Sequence, residues 1–373
     1  MTKRVGILTA GSDCPGLNAA IRGFGKTARS IHGMTLIGFR DGFRGLINNL
    51  TVDLGGDALS NILTAGGTIL GTSRDVPHKV IEDDQIVDKT KDAVACYQEN
   101  KLDALVCIGG QESQAAALQL QKAGLNIVTL PKSAHNDVPL TETTIGFDTA
   151  KMIATEAIDR LHSTANSNHR IIIVEIIGRE VGWLTLSAGI AAGADVILIP
   201  EIPYDIDKIS EAILERNQVG KMFSIVAVAE GAHSSELMDF FERSMKINRH
   251  VHDGEAEAAG KERMAALKKK YSGETLMLAN RLENNTGLES RITILGYLLR
   301  GGAPSASDRV LATHLGTRAA DLVAENRFGI MVGMQADKAV CVPIESVTQE
   351  QKPVPLDHHW VISARHVGTV FGD

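Results

Sequence analysis

A short apolar run, a turn built on Gly or Pro, then a helical stretch: this unit recurs along the chain and restricts the folds open to it. Residues 5–9 lead into Gly11-Ser12-Asp13-Cys14-Pro15-Gly16-Leu17-Asn18 and a helix over about 19–30. Residues 34–39 form a second run, closed by a turn at 41–45. Residues 102–108 run into Gly109-Gly110-Gln111-Glu112-Ser113 and a helix over about 114–123. Residues 125–130 then deliver Pro131-Lys132-Ser133-Ala134-His135-Asn136-Asp137-Val138-Pro139, ahead of a helix over 148–161. The pattern repeats with apolar runs at 171–176, 196–199, 224–229 and 291–295, and with a helix over 306–324. Uninterrupted apolar strands that alternate with helices predict parallel sheets with both faces covered. Chemistry in such folds sits on the loops at the carboxyl ends of the strands.

The loop at 131–139 gathers a Lys, a hydroxyl, an imidazole, an amide and a carboxylate. The loop at 11–18 places backbone N–H groups at a helix start, an arrangement that suits an anion. Gly66-Gly67-Thr68-Ile69-Leu70-Gly71-Thr72-Ser73-Arg74 ends in two hydroxyls and an Arg, all good phosphate donors. Each loop alone also suits an ordinary solvated strand-to-helix connection.

With 373 residues the chain has room for two domains. A net charge of −7 gives no reason to expect nucleic acid or an anionic membrane as partner. No stretch reaches the ~20 apolar residues of a membrane span, and the start of the chain lacks the apolar run of a signal peptide. The four cysteines are scattered without metal-ligand spacing, which fits a reduced cytoplasmic setting, and Cys107 reads as core. Residues 234–285 differ in being charged and helical, and read as an inserted arm. His250 and His252 within it read as surface residues, and Lys268-Lys269-Lys270 as a solvated helix end. Residues 330–334 and 339–342 read as a terminal hairpin, and 366–373 as a tail without an assigned role.

Taken together in order, these loops resemble the 6-phosphofructokinase superfamily, in its bacterial group of mixed ATP and pyrophosphate use. The matching pieces include residues 11–19, 66–74, Gly109-Gly110, Pro131-Lys132 with Asn136-Asp137, and residues 145–150. Ile177-Gly178-Arg179, Gly182-Trp183, Pro200-Glu201, Glu230-Gly231, Arg300-Gly301-Gly302 and Asp308-Arg309 continue the match. The resemblance implies two Rossmann-like three-layer αβα domains of mainly parallel strands with the active site in their cleft. The larger, phosphoryl-donor domain would comprise 1–140 plus about 290–345, the smaller sugar-phosphate domain 141–289, and the tail 346–373. It also implies Mg2+, fructose 6-phosphate, a donor that is pyrophosphate or ATP, and a homodimer or homotetramer.

By position, Gly11, Arg74, Gly109, Gly110, Gln111, Glu112 and Ser113 would face the donor. Ser133, Ile177, Gly178, Arg179, Glu230, Tyr297 and Arg300 would face the sugar phosphate, with Arg170 and Arg291 reaching it from a neighbouring subunit. Lys132, His135, Asp137 and Arg179 are the catalytic candidates.

Three departures stand out. The family loop usually reads Thr-Ile-Asp-Asn-Asp, and its first Asp takes the proton from the sugar hydroxyl; His135 stands there. An imidazole, with an ordinary pKa near ~6.5, can take that role at neutral pH. Gln111 replaces the Asp that usually organises Mg2+, which leaves Glu112, one residue on, or Asp137 as the carboxylate for the ion. Tyr297 replaces a usual His. In that family, Gly at the positions of Glu112 and Lys132 leaves room for the α-phosphate of ATP. An acid and a Lys there go with pyrophosphate, so the resemblance favours pyrophosphate here. Two further readings stay open: an impaired paralogue that senses sugar phosphates or regulates a partner, and a sugar-phosphate kinase of changed substrate.

Overall fold

The structure is a computed structural model that describes residues 2–83, 85–240 and 274–373. The chain divides into two compact α/β units, Met1–Met152 with Tyr297–Lys352, and Ile153–Gly296 with Pro353–Asp373.

In the first unit the strands are β1 (Arg4–Thr9), β2 (Thr35–Phe39), β3 (Thr51–Asp53), the small hairpin β4 (Val80–Glu82) and β5 (Gln85–Val87), β6 (Ala104–Gly109) and β7 (Ile127–Pro131). A terminal hairpin, Ile330–Gln335 and Lys338–Pro343, completes them. The main sheet runs Lys338–Pro343, Ile330–Gln335, β7, β6, β1, β2, β3. Its inner neighbours pair in parallel, and both edge strands pair antiparallel.

Period-two alternation explains the uninterrupted apolar runs. Val5 and Ile7 of β1, with Val106 and Ile108 of β6, pack under α1 (Leu17–Ser30) and the helix Ala306–Ala324. Leu8, Leu105 and Cys107 face the other way, among residues of α2 (Phe43–Ile47), α3 (Thr90–Glu99) and α4 (Gln111–Lys122). A one-residue slip would exchange these two faces, so burial on both sides fixes the register. α1 and Ala306–Ala324 approach closely because a Cβ on Gly316 would lie 2.6 Å from the Phe24 nitrogen.

The helix after β1 and the helix after β6 thus cover opposite faces of the sheet, while β1 and β6 are neighbours. That is a topological switch point, where the loops leaving two adjacent strands diverge and open a crevice.

The second unit has a four-stranded sheet in the order β11 (Ser290–Ile294), β8 (Ile171–Ile176), β10 (Ser224–Ala229), β9 (Val196–Leu198), all parallel. Ile171, Ile173, Val226 and Val228 pack against Ile209 and Ile213 of α7 (Ile206–Gln218) and Leu278 and Leu282 of the helix Glu274–Thr286. α5 (Phe147–Asn168) joins the units, and α6 (Trp183–Ala191) follows β8.

Several local expectations need correction. α4 starts at Gln111, so Gln111 and Glu112 belong to its first turn and not to a loop. α5 continues to Asn168 through the polar stretch expected to follow it. The turn expected at 41–45 holds the start of α2. The tail does have a structural place. Val370 bridges to Val196, the Ile197 N–H donates to the Val370 carbonyl at 2.9 Å, and Phe371 is buried. Of the expected inserted arm, residues 241–273, with His250, His252 and Lys268 to Lys270, lie outside the described residues. Among the described residues no helix is long and apolar enough to cross a membrane.

Candidate active site

The carboxyl ends of β1, β6 and β7 open into one hollow of about 170 Å³ within the first unit. Gly11 to Cys14 line it from β1, Gly110 to Ser113 from the start of α4, and Lys132 to His135 with Asp137 from the loop after β7; Arg300 joins them. A larger hollow, about 490 Å³, lies elsewhere around Arg44, Asp75, Lys89 and Glu99. Its two cations are each paired to an acid, Arg44 to Asp75 and Lys89 to Glu82, so it offers no cation to spare for a phosphate.

Lys132 defines the inner wall. It is 5% exposed, and its Nζ donates to the Ser12 carbonyl. A Cβ on Gly11 would stand 3.2 Å from that Nζ and 3.4 Å from Ser113 Oγ, and Gly11 has φ +81°. The positive φ favours Gly there, and a Cβ would crowd the ammonium. Burial pulls the Lys132 ammonium below the ordinary lysine range, while Asp137 and Asp13 oppose that pull. The Cys14 thiol, by contrast, is pushed up to about 12 by burial and donates to the Ile145 carbonyl at 3.3 Å. It is a structural thiol and not a nucleophile.

α4 starts without a side-chain cap, because Gly110 has none to offer. A helix leaves its first N–H groups without intrahelical partners, and its dipole favours an anion there. The start of α4 and Lys132 therefore make the hollow attractive to phosphate. Glu112 adds a negative charge in the same turn. That charge works against an anion placed beside it and for a cation.

The loop after β7 is tightly held. Ser133 Oγ accepts from the His135 N–H at 3.1 Å, and Thr144 Oγ1 donates to the Ser133 carbonyl at 2.6 Å. Asn136 has φ +57°, and its Nδ2 donates to the Glu142 carbonyl at 3.0 Å. Asp137 Oδ1 is buried without a hydrogen-bond partner among the described residues. A buried acceptor left in that state on a cavity wall is suited to a proton or cation from a ligand.

Asp308 fastens the next turn. It is fully buried and accepts from the Gly146 N–H at 2.9 Å, the Thr149 N–H at 2.8 Å and Thr149 Oγ1. Ser305 Oγ in turn accepts from the Asp308 N–H and caps the helix Ala306–Ala324. Asp308→Ala would leave three donors without their acceptor, and a buried unsatisfied group costs about 1–3 kcal/mol. The expected loss is about 3 kcal/mol in urea unfolding; a loss below about 1 kcal/mol would show that water replaces the carboxylate.

The remaining candidates fall in distinct places. Arg74 is exposed and outside the lining of the hollow. Tyr297 is largely exposed, with the Arg300 guanidinium 5.3 Å from its ring centre. In the second unit, Ile177, Gly178 and Arg179 follow β8, and Glu230 follows β10. Arg179 Nε donates to Glu230 Oε1 at 2.8 Å, and Gly231 must be Gly because a Cβ there would lie 1.9 Å from the Arg179 carbonyl oxygen. Arg170 and Arg291 sit at the opposite end of that sheet, both paired to Glu289. β8 separates the two groups by about 20 Å, at ~3.3 Å per residue.

Sequence reasoning missed Asp308 as an anchor and Glu201 as a tie. Glu201 Oε1 accepts from the Gly182 and Val354 N–H groups, and burial raises its carboxyl above the usual range. The signal for Asp308 was present as Ser305 three residues ahead of an acid, a helix-start pattern. Val354 carries no comparable signal.

Comparison with known proteins places these features in context. A family model described as Phosphofructokinase matches residues 4–323. An "ATP-dependent 6-phosphofructokinase" of Propionibacterium freudenreichii is 52% identical over 100% of both chains. A "Pyrophosphate--fructose 6-phosphate 1-phosphotransferase" of Amycolatopsis mediterranei is 41% identical over 95% of this chain and 97% of that protein. Among solved structures, the phosphofructokinase of Pichia pastoris in the T-state has a TM-score of 0.77 at 29% identity, covering 93% of this chain and 35% of that longer one.

Proposed function

The chain belongs to the phosphofructokinase family, and we propose that it transfers a phosphoryl group from pyrophosphate to the 1-hydroxyl of fructose 6-phosphate. The observation that carries the donor assignment is Lys132. A buried ammonium against Gly11 fills the inner wall of the hollow, and Glu112 stands beside the helix start. Together they suit a short inorganic polyphosphate and oppose the α-phosphate of a nucleotide. ATP is the second reading, favoured by the names of the relatives at 52% and 45% identity.

In this reading the start of α4 and Lys132 hold the donor. His135 takes the proton from the attacking hydroxyl, and Asp137 offers a buried acceptor beside it. Arg179 and Glu230 recognise the sugar phosphate, the Arg through the dianion and the acid through hydroxyls. Glu112, Gln111 and Asp13 supply only oxygen donors, which suits a hard cation. Among the described residues no three acidic, His or Cys side chains gather into a preformed metal cage. Mg2+ ordinarily binds through one or two carboxylates plus substrate phosphates, so this donor set fits it. When bound, the ion would neutralise phosphate oxygens. Arg170 and Arg291, far from Arg179, are the residues a homodimer or homotetramer would lend to a neighbour's site.

A coupled assay with fructose 6-phosphate and Mg2+, run in parallel with pyrophosphate and ATP, tests the reading. Turnover with pyrophosphate is expected. Turnover with ATP alone would replace the donor assignment. Binding of fructose 6-phosphate without turnover would point to a sensor or regulatory subunit.

Arg179 gives a separate check on the acceptor side. Its side chain is 77% exposed, so its pair with Glu230 adds little to stability. Arg179→Ala should leave the urea midpoint in place and weaken fructose 6-phosphate binding about 10–100-fold, the loss of a charge-assisted contact. Unchanged affinity in calorimetry would remove Arg179 from the site.

A further inference from the structure

The loop that carries His135 and Asp137 is held by a residue far along the chain. Lys352 Nζ donates to the Thr141 carbonyl at 2.9 Å and to the Glu142 carbonyl at 3.1 Å, and its backbone N–H donates to the Asp137 carbonyl at 3.0 Å. The Glu142 carbonyl accepts from Asn136 Nδ2 as well, so one oxygen ties Lys352 to the left-handed residue between His135 and Asp137. The other side of the same segment is stitched to the terminal hairpin. The Met334 N–H donates to Thr141 Oγ1 at 2.9 Å, and the Ala336 N–H donates to Glu142 Oε2 at 3.0 Å.

We infer that Lys352 is a positioning residue, which fixes the return of the 136–142 loop and thereby sets His135 and Asp137 at the hollow. The inference rests on the phosphoryl-transfer reading above.

The arrangement uses an ammonium for a physical reason. Two carbonyls converge on one point together with the Asp137 charge, and Glu142 is the other acid near it. A cation with several N–H donors satisfies both carbonyls at once. The site is desolvated enough that burial lowers the Lys352 ammonium to about 8, against which Asp137 and Glu142 act. A neutral side chain of the same length would leave both carbonyls without this donor. The loop would then be tied to residue 352 only through the backbone N–H on the Asp137 carbonyl, and residues 141–142 would be looser there while the hairpin contacts persist.

The test compares the full-length chain with Lys352→Met and Lys352→Arg. Lys352→Met should lower kcat about 10–100-fold, with the calorimetric affinity for fructose 6-phosphate changed less than threefold. Lys352→Arg, which keeps the charge and the donors, should recover most of that loss. Hydrogen exchange should become about tenfold faster at amides 133–142 in the Met variant and stay unchanged in β8 and β10. Wild-type kcat in Lys352→Met would overturn the inference, as would unchanged exchange in the loop. Faster exchange across the whole chain, with no recovery by Arg, would reduce Lys352 to a stability residue and also overturn it. If the wild-type chain turns over neither donor, the function reading fails instead, and the exchange comparison alone decides whether Lys352 holds the loop.

Discussion

The expected result for His135→Ala is a kcat about 10²–10⁴-fold lower with fructose 6-phosphate still bound, the loss that removal of the proposed general base would cause. The argument begins with the loop. Its backbone is fixed at His135 by Ser133 Oγ, at Ser133 by Thr144, and at Asn136 by the Glu142 carbonyl. These contacts are made by backbone groups and by neighbouring side chains, so they persist when alanine replaces the imidazole. His135 lines the same hollow as Lys132 and Asp137. His135→Asp is the companion experiment: a carboxylate can accept the same proton, so activity should return by at least tenfold over the alanine variant. Equal kcat in wild type and His135→Ala would transfer the role to Asp137, whose buried Oδ1 lacks a partner among the described residues. Loss of fructose 6-phosphate binding in the alanine variant would show instead that the loop had collapsed.

The strands that place this loop were legible in the sequence because burial on both faces writes a continuous apolar run. β8 and β10 were read with the bounds they have. The helix Ala306–Ala324 was read with its bounds as well, and the structure shows Ser305 capping its start. α4 was not read correctly at its start. Gly110 caps nothing, so the sequence Gly-Gly-Gln-Glu-Ser carries no cap signal, and polar residues in a first turn look like a loop. The small hairpin at 80–87 was also missed: Ile81 and Ile86 pair across it yet remain exposed, so no alternation between core and solvent marks them. Asp308 and Lys352 act at sequence separations of 159 and 211 residues. Their partners are mostly backbone groups, which every residue owns, so nothing in the partner's sequence announces them.

The donor pocket leads to the second large effect. Lys132→Met keeps the apolar stem and removes the charge, and kcat/KM with pyrophosphate should fall about 10²–10³-fold, as expected for losing a buried charge-assisted contact. Methionine tolerates the packing environment of the stem, so the fold should hold. What changes is the only fully buried cation among the described residues lining the hollow; Arg300, the other one, is half-buried. The double variant Glu112→Gly with Lys132→Gly goes further. It removes the negative charge in the first turn of α4 and the bulk against Gly11, the two features that the pyrophosphate proposal sets against a nucleotide α-phosphate. Turnover with ATP should rise while turnover with pyrophosphate falls, reversing the preference. The charge and the bulk can be separated, because Glu112→Gln removes only the first: a rise in ATP use from Glu112→Gln alone would assign discrimination to electrostatic repulsion, and a rise that needs the Lys132 change would assign it to space. A wild-type chain already selective for ATP, and indifferent to Lys132→Met, would mean that the phosphates bypass this wall and that the buried ammonium serves only to close the β1 turn through the Ser12 carbonyl.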